Sequence, residues 1–161
     1  MVVKLVVFDC DGTLWDHPDV SAMQEPFRRL DADTVEDARG DRVRLFSSTR
    51  QVLDILRRRG FLLSIASLNR PEPVFAIFEL LELTAYFTRP KVEYHWHKDR
   101  IVGALLRELA GDGVVLGPQD VLLVDDRLVN LDGVRRALGP IRTLQAGVDI
   151  TDLRDVLAHL D

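Results

Sequence analysis

The sequence predicts an α/β fold, in which a doubly wound parallel sheet lies between two layers of helices. Along most of the 161 residues, apolar runs alternate with segments whose apolar residues recur at helical spacing. This alternation is typical of strands joined by crossover helices. The runs are nearly continuous, as in strands covered on both faces.

Four apolar runs are the predicted strands. They cover residues 2–8, 61–67, 121–126 and, more weakly, 141–146. Consecutive strands of this kind pair in parallel through right-handed crossovers. The polar residues at their carboxyl ends are Asp9, Asp11, Ser67, Asn69, Asp125 and Asp126. Because ligands of such sheets bind at that edge, we expect these side chains to form a site.

Five helices are predicted from apolar spacing and from capping signals. They are a helix capped at 47–49 and ended by Gly60, one that begins at Pro71, one from Lys98 to the glycines at 111 and 113, one that follows Asn130 as far as Gly139, and one that carries Ile150, Leu153, Leu157 and Leu160 on one face. With the strands, they complete the three layers of the predicted fold.

The length predicts one domain over residues 1–161. Residues 16–46 break the alternation of strands and helices, because they are rich in charge and poor in periodicity. We expect this stretch to be a small irregular excursion or hairpin and not a second domain.

Composition and charge argue against several classes of protein. The net charge of −5 disfavours a surface that coats nucleic acid or anionic membranes. No apolar run has transmembrane length, and Asp9 interrupts the first run before a signal-peptide core develops. The single cysteine, Cys10, excludes an intramolecular disulfide. We expect a cytoplasmic protein without nucleic-acid or membrane partners, and the oligomeric state stays open.

Acids at the predicted sheet edge indicate a metal site. If Asp9, Asp11 and Asp126 converge, unit charges about 4 Å apart repel by roughly 4 kcal/mol at an effective dielectric constant near 20. Such a cluster raises the pKa values of its members or binds a cation. Oxygen ligands with room for water and phosphate suit Mg²⁺. Lys98, at a helix start, can add a fixed positive charge.

This set of groups matches phosphoryl transfer, in which the protein mainly positions the phosphoryl group and neutralises its charge. An ionised aspartate can act as the covalent nucleophile, and a second carboxylic acid two residues later can transfer the protons. Ser67 and the backbone amides after it, where a helix starts, can donate to phosphate oxygens. Gly12 allows the sharp turn that brings both acids toward one ion.

Four motifs together resemble the signature of the haloacid dehalogenase superfamily of aspartate-nucleophile phosphotransferases. They are DCDGT from Asp9 to Thr13, LLSIAS ending at Ser67, the lysine before a helix at Lys98, and VLLVDD ending at Asp126. The chain looks most like the magnesium-dependent phosphatase family. That closer likeness comes from TLW at 13–15, RGDRVRLF at 39–46 and DDRLVN at 125–130.

The resemblance implies a Rossmann-like fold and roles for individual residues. Only about thirty residues follow the first motif before the next helix, and no helical insert comes later, so we expect no large cap domain. Asp9 is expected to be the nucleophile, Asp11 the acid and base, and Asp126 the carboxylate that completes a Mg²⁺ site with Asp9 and the main-chain carbonyl of Asp11. The residues expected to bind phosphate are Asp9, Cys10, Asp11, Ser67, Leu68 and Lys98. Ser67 and Lys98 are expected to clamp the phosphate.

Some assignments stay open at this point. Lys91 is a rival to Lys98, although the helix start favours Lys98. Asp125 is expected either to support the metal site or to cap the next helix. Asn130 is expected either to orient the Asp126 carboxylate or to lie on a polar helix surface.

Two other features have simpler explanations than catalysis. The Cys10 side chain is expected to point into the core, away from the neighbouring acids. His95 and His97 offer two nitrogens with no nearby cysteine, a poor zinc site, so loop packing or a wall of the substrate site is the better interpretation. Also, Leu68 and Asn69 stand where the family often has a basic or hydroxyl residue.

The sequence therefore predicts a Mg²⁺-dependent phosphomonoesterase with an aspartyl-phosphate intermediate on Asp9. The family suggests phosphorylated small molecules or phosphoproteins as substrates, including protein phosphotyrosine and phosphorylated sugar adducts. The alternative is a non-catalytic phosphate-binding or phospho-receiver-like module, although the order of the motifs argues against a receiver domain. An acid at the position of Asp11 disfavours dehalogenation.

Overall fold

The computed structural model of the protein describes residues 2–161. These residues contain nine strands: β1 (Leu5–Phe8), β2 (Trp15–Asp16), β3 (Arg28–Arg29), β4 (Thr34–Glu36), β5 (Arg42–Leu45), β6 (Leu62–Ser67), β7 (Lys91–Val92), β8 (Val121–Asp125) and β9 (Arg142–Gln145). Their four α-helices are α1 (Thr49–Arg58), α2 (Pro71–Leu80), α3 (Lys98–Gly111) and α4 (Leu128–Leu138). No helix within these residues has both the length and the apolar character needed to cross a membrane.

The central sheet is parallel and has five strands in the order β7-β6-β1-β8-β9. β1 lies in the middle, where Phe8 pairs with Ile65 of β6 and with Val124 of β8. The backbone amide of Asp9 donates to the Val124 carbonyl at 2.9 Å, so the chain stays in register one residue past β1. The predicted three-layer α/β fold is confirmed.

Two hydrophobic cores lie on opposite faces of this sheet. α1 and α2 pack on the face that contains Val6 and Phe8, whereas α3 and α4 pack on the face that contains Leu5 and Val7. All four side chains are fully buried. Full burial of one such side chain contributes about 1.5–3 kcal/mol to the free energy of folding. The position of β1, and so of the residues that follow it, is therefore strongly stabilised.

Two predicted helices differ in detail from the structure, and one strand of the central sheet was not predicted. α4 begins at Leu128, so Asn130 lies inside this helix and not before it. The last predicted helix is a 3₁₀-helix over Leu153–His159, in which Leu153 and Val156 are buried three residues apart, the repeat of a 3₁₀-helix. The short edge strand β7 was not predicted, because two residues carry too little pattern.

Residues 15–45 contain a second, antiparallel sheet in the order β2-β5-β4-β3. The prediction for this stretch was an irregular excursion or hairpin. In β5, Val43 and Leu45 are buried while Arg42 and Arg44 are exposed. The exposed arginines gave this stretch its charge-rich character, and its strands of two to four residues gave too few repeats for their alternation to be recognised.

Asp37 holds the turn between β4 and β5. Its buried carboxylate accepts hydrogen bonds from the backbone amides of Gln24, Arg39 and Asp41, at 2.8, 2.9 and 2.8 Å. These hydrogen bonds, that from Gln24 first, hold the pKa of Asp37 below its ordinary value. A carboxyl with a lowered folded-state pKa stabilises the fold above its unfolded-state pKa, and this contribution is lost as the pH falls through the folded-state pKa.

We predict that Asp37→Ala lowers the free energy of unfolding by about 1–3 kcal/mol at pH 7, because backbone amides lose a buried acceptor. The difference from the wild type should shrink below about pH 4, where the carboxyl takes up a proton in the unfolded chain. Urea denaturation at pH 7 and at pH 3 measures both values. Asp16→Ala, which removes an exposed acid of β2, is the control and should change little. A loss equal at both pH values would contradict the prediction.

Candidate active site

Three carboxylates converge where β1 and β8 end. Asp9 follows β1, Asp125 is the last residue of β8, and Asp126 comes directly after it. One carboxylate oxygen from each lies within 4.8 Å of the others. Within residues 2–161, this is the only group of three or more potential histidine, cysteine or carboxylate ligands that is so close together. The parallel register of β1 and β8 creates the cluster, because it places Asp9 beside the end of β8.

The ammonium of Lys98 lies inside this cluster. Its Nζ is 3.0 Å from Asp9 Oδ1 and 2.8 Å from Asp125 Oδ2, and it donates to the Ala66 carbonyl at 2.6 Å. Lys98 is the first residue of α3 and is 2% exposed. Three carboxylates and one ammonium leave two negative charges in excess. A divalent cation is therefore the ligand that balances the site.

The protonation equilibria of the cluster reflect this imbalance. Burial raises the pKa of Asp9 well above its ordinary value, because the Lys98 ammonium offsets only part of the cost of desolvation. Burial by itself would lower the pKa of Lys98, but the Asp9 and Asp125 carboxylates outweigh it and raise the pKa. Burial and the Asp125 carboxylate raise the pKa of Asp126. A bound cation would favour the ionised carboxylates.

Gly12 lets the turn after β1 pass close to Asp126. Its φ is +70°, a conformation that glycine adopts without strain. A Cβ atom at this position would lie 2.4 Å from Asp126 Oδ2. No side chain fits there while the Asp126 carboxylate keeps its place.

Asp11 lies at the same edge but is held by other partners. Its Oδ1 accepts a hydrogen bond from Trp15 Nε1 at 2.8 Å, its Oδ2 accepts one from Asn69 Nδ2 at 2.9 Å, and the Val20 amide donates to the carboxylate at 3.3 Å. Burial raises the pKa of Asp11 to about 6, although the hydrogen bonds from Trp15 and Val20 act in the opposite direction. Near neutral pH the group can therefore exist in both protonation states, as proton transfer requires.

Ser67 presents an unpaired hydroxyl at the end of β6. Its Oγ is buried and has no hydrogen-bond partner within the described part of the chain. Since an unsatisfied buried polar group costs about 1–3 kcal/mol, this hydroxyl indicates an external acceptor such as a phosphate oxygen.

Cys10 faces away from the acids, as predicted. Its side chain is fully buried in the core on the α1 and α2 side of the sheet. Burial raises the pKa of the thiol well above its ordinary value. The thiol is thus un-ionised at neutral pH and is a poor nucleophile.

Asp125 contacts both the acid cluster and the segment that leads into α4. Its carboxylate contacts Lys98, and its Oδ1 also accepts the Arg127 amide at 2.8 Å, immediately before α4. The Asn130 amide donates to Asp125 Oδ2 at 3.2 Å. The expectation that Asn130 orients the Asp126 carboxylate is therefore wrong, and so is the alternative of an exposed helix position. Asn130 is the third residue of α4, and its side chain points back at Asp125.

The two candidate lysines have different partners, and only Lys98 contacts the acids. Lys91 forms an ion pair with Glu108 of α3 and does not contact the acid cluster.

The His97 amide donates to His95 Nδ1 at 3.0 Å, and the centroids of the two rings are 5.6 Å apart. The histidines thus contact each other within the loop that leads into α3, directly before Lys98.

The acids line an open cavity of about 220 Å³, which also contacts Leu68 and Asn69. A neighbouring cavity of about 300 Å³ is lined by Trp96 and Val129 and again by Leu68. Trp96 is 84% exposed. The site thus opens directly onto the surface.

Comparison with known proteins finds relatives of this chain. A family model described as Acid Phosphatase matches residues 1–104. The human (Homo sapiens) protein Magnesium-dependent phosphatase 1 is 34% identical over 90 residues, covering 55% of this chain and 51% of that protein. The chain thus spans about half the length of this curated relative.

Solved structures share the fold. A hydrolase of the haloacid dehalogenase superfamily from Geobacter sulfurreducens has a TM-score of 0.67 and 15% identity, over 99% of this chain and 97% of that one. CbbY from Rhodobacter sphaeroides, in complex with phosphate, has a TM-score of 0.69 and 16% identity over 100% of both chains. The phosphatase-domain part of BF1531 from Bacteroides fragilis, complexed with Mg, has a TM-score of 0.70 and 16% identity, over 99% of this chain and 40% of that one.

Sequence reasoning missed two residues that contact Asp11. Trp15 belongs to the TLW motif, but nothing in the motif indicates that its indole N–H donates to Asp11. Asn69 was seen as polar at the end of a strand, where the other site residues lie. Its position at the end of a strand was therefore a usable signal. The chain contains only two asparagines, Asn69 and Asn130, and both are buried in the structure.

We predict that Gly12→Ala weakens Mg²⁺ binding by about 10- to 100-fold, the usual effect of disturbing the support of a metal ligand, because the new Cβ displaces Asp126. Gly40→Ala is the matched control, because Gly40 has a φ of +86° and nothing within 4 Å of its Cβ position. Both variants should lose stability from the left-handed backbone. Titration calorimetry with Mg²⁺ distinguishes them, and equal affinities in the two variants would contradict the prediction.

Proposed function

The chain belongs to the Acid Phosphatase family, within the haloacid dehalogenase superfamily, and on this basis we propose that it is a Mg²⁺-dependent phosphatase that hydrolyses phosphomonoesters. The observation that carries the proposal is the cluster of Asp9, Asp125 and Asp126 around the Lys98 ammonium, with its excess of two negative charges. The unpaired Ser67 hydroxyl beside it supports a phosphate ligand.

Asp9 and Asp126 are the proposed side-chain ligands of Mg²⁺, with the main-chain carbonyl of Asp11 as a third. Asp125 belongs to the same carboxylate cluster, but its carboxylate is already held by Lys98 and Asn130. When bound, Mg²⁺ would neutralise charge on the phosphate and on the attacking carboxylate. The donors are all oxygen atoms, which suits a hard cation.

In the first step, a carboxylate oxygen of Asp9 attacks the phosphorus atom and the bond from phosphorus to the ester oxygen breaks. Asp11 donates its proton to the departing oxygen, which leaves as an alcohol. The product on the protein is an aspartyl phosphate. The proposed phosphate clamps are the Lys98 ammonium, the Ser67 hydroxyl and the backbone at Cys10 and Leu68.

In the second step, the Asp11 carboxylate removes a proton from a water molecule, whose oxygen attacks the phosphorus atom. The bond between phosphorus and Asp9 breaks, which releases inorganic phosphate and restores both carboxyl groups to their starting states. The same residue thus serves as acid and then as base.

The open site supports substrates whose phosphate projects from a larger body. Protein phosphotyrosine and phosphorylated sugar adducts are the candidates that the family resemblance offers. Tyr94 and Trp96, 68% and 84% exposed, lie on the loop before α3 at the entrance of the site. Such exposed aromatic side chains are typical of surfaces that contact a partner or a ligand.

We predict that Asp9→Asn lowers the turnover of 4-nitrophenyl phosphate by more than about 10⁴-fold, because the covalent nucleophile is lost. Acid quenching of the wild type with a ³²P-labelled ester should trap a hydroxylamine-sensitive label that is absent from the variant. Asp112→Asn is the control, because it removes an acid at the opposite end of α3 from Lys98. Undiminished turnover by Asp9→Asn, or none by the wild type, would contradict the proposal.

We also predict that chelation with EDTA abolishes turnover and that Mg²⁺ restores it. Ca²⁺ should bind without restoring the rate, since it is larger and accepts a looser set of ligands. Initial rates measured after dialysis into each metal test this. Full activity in a metal-free preparation, verified by elemental analysis, would show that the acid cluster serves another purpose.

A further inference from the structure

Asn69 connects Asp11 to the segment that carries Ser67. Its side-chain nitrogen donates to Asp11 Oδ2 at 2.9 Å, across 58 residues of sequence. Asn69 is 6% exposed, and it lines the same cavity as Asp9 and Asp11. The amide nitrogen is the atom that faces Asp11, which suits the ionised form of the carboxyl group because that form only accepts hydrogen bonds.

The three donors to Asp11 are not equivalent. Trp15 and Val20 belong to the same stretch of chain as Asp11 and would move with it. Asn69 comes from the loop between β6 and α2, two residues after Ser67. It is therefore the donor that fixes the position of Asp11 relative to the Ser67 hydroxyl.

We propose that Asn69 is a positioning residue for the proton transfer by Asp11: its amide holds the Asp11 carboxyl group at a set distance from the phosphate held at Ser67. This inference rests on the proposed function. Proton transfer requires the acid to lie about 2.6–3.2 Å from the departing oxygen. A displacement of about 1 Å can cost 10²-fold in rate.

A purely structural role for Asn69 is the competing explanation, and a separate contact argues against it. The Arg70 amide donates to Ser21 Oγ at 2.9 Å, and the Arg70 guanidinium donates to the Ser21 carbonyl at 3.3 Å. These bonds already join the β6–α2 loop to the segment after Asp11. The additional bond from Asn69 ends on the Asp11 carboxylate itself and not on the backbone.

The test uses two esters of similar shape that differ in the basicity of the departing oxygen. 4-Nitrophenolate departs readily without a proton, whereas the more basic phenolate depends more on the acid. The quantity compared is kcat/KM, which covers the steps through phosphoryl transfer and leaves out the later hydrolysis of the aspartyl phosphate. A poorly positioned acid therefore penalises phenyl phosphate selectively.

Asn69→Leu, which keeps the approximate shape and removes the donor, should lower kcat/KM for phenyl phosphate by about 10- to 100-fold, part of the 10² to 10⁴ typical of general acid catalysis. The loss for 4-nitrophenyl phosphate should stay within about threefold, and inhibition by inorganic phosphate should be unchanged. Asn69→Gln, which keeps an amide donor, should recover part of the loss. Adding Asn69→Leu to Asp11→Asn should cost little more than Asp11→Asn alone.

Ser21→Ala is the matched control, because it removes a hydrogen bond between the same two segments without touching Asp11. It should lower the melting temperature and affect both esters alike. Equal losses for both esters in Asn69→Leu, or full additivity with Asp11→Asn, would overturn the inference and leave the proposed function standing. Absence of Mg²⁺-dependent turnover by the wild type with either ester would overturn both.

Discussion

Lys98 places its ammonium between the carboxylates of Asp9 and Asp125, and all three side chains are almost completely buried. Burying a charge is costly unless it is paired, and removing one partner of a buried pair typically costs about 3–5 kcal/mol. This contact lets two neighbouring strands of a fully covered sheet end in acids. It also joins α3 to β1 and β8, so the acid cluster and the fold share one interaction.

The site divides into two halves, each supported by one of the chain's two asparagines. Asn130 donates to Asp125, beside the Lys98 ammonium and the proposed metal ligands, and Asn69 donates to Asp11, the proposed acid and base. Asp9 lies between the two halves. A neutral amide suits both positions, because it donates to a carboxylate without adding a charge that would compete with the cation.

The sequence predicted the fold and the gathering of acids at one sheet edge, because both follow from local patterns. It did not predict that Asp125, and not Asp11, joins Asp9 and Asp126 in the carboxylate cluster. Continuous apolar runs identified the long strands, and the helix start at Lys98 distinguished it from Lys91. The contacts that the sequence did not predict depend on distant pairing. Asn69 meets Asp11 only because β6 and β1 are neighbours, and Asn130 turns toward Asp125 only because α4 begins earlier than its pattern suggested. The antiparallel sheet of 15–45 was missed because its strands are short and expose arginine.

The position of β1 in the middle of the sheet has a consequence for folding. Leu5 pairs with Leu62 on one side and with Val121 on the other. The first strand therefore completes its pairing only when two segments that are distant in sequence have reached it. Folds dominated by such non-local contacts form slowly, because the loops must close before the contacts compensate for the lost entropy. Asp9 and Asp126 come together only when β8 has joined β1. A growing polypeptide therefore cannot form the proposed ion-binding centre until β8 has been synthesised and has paired with β1.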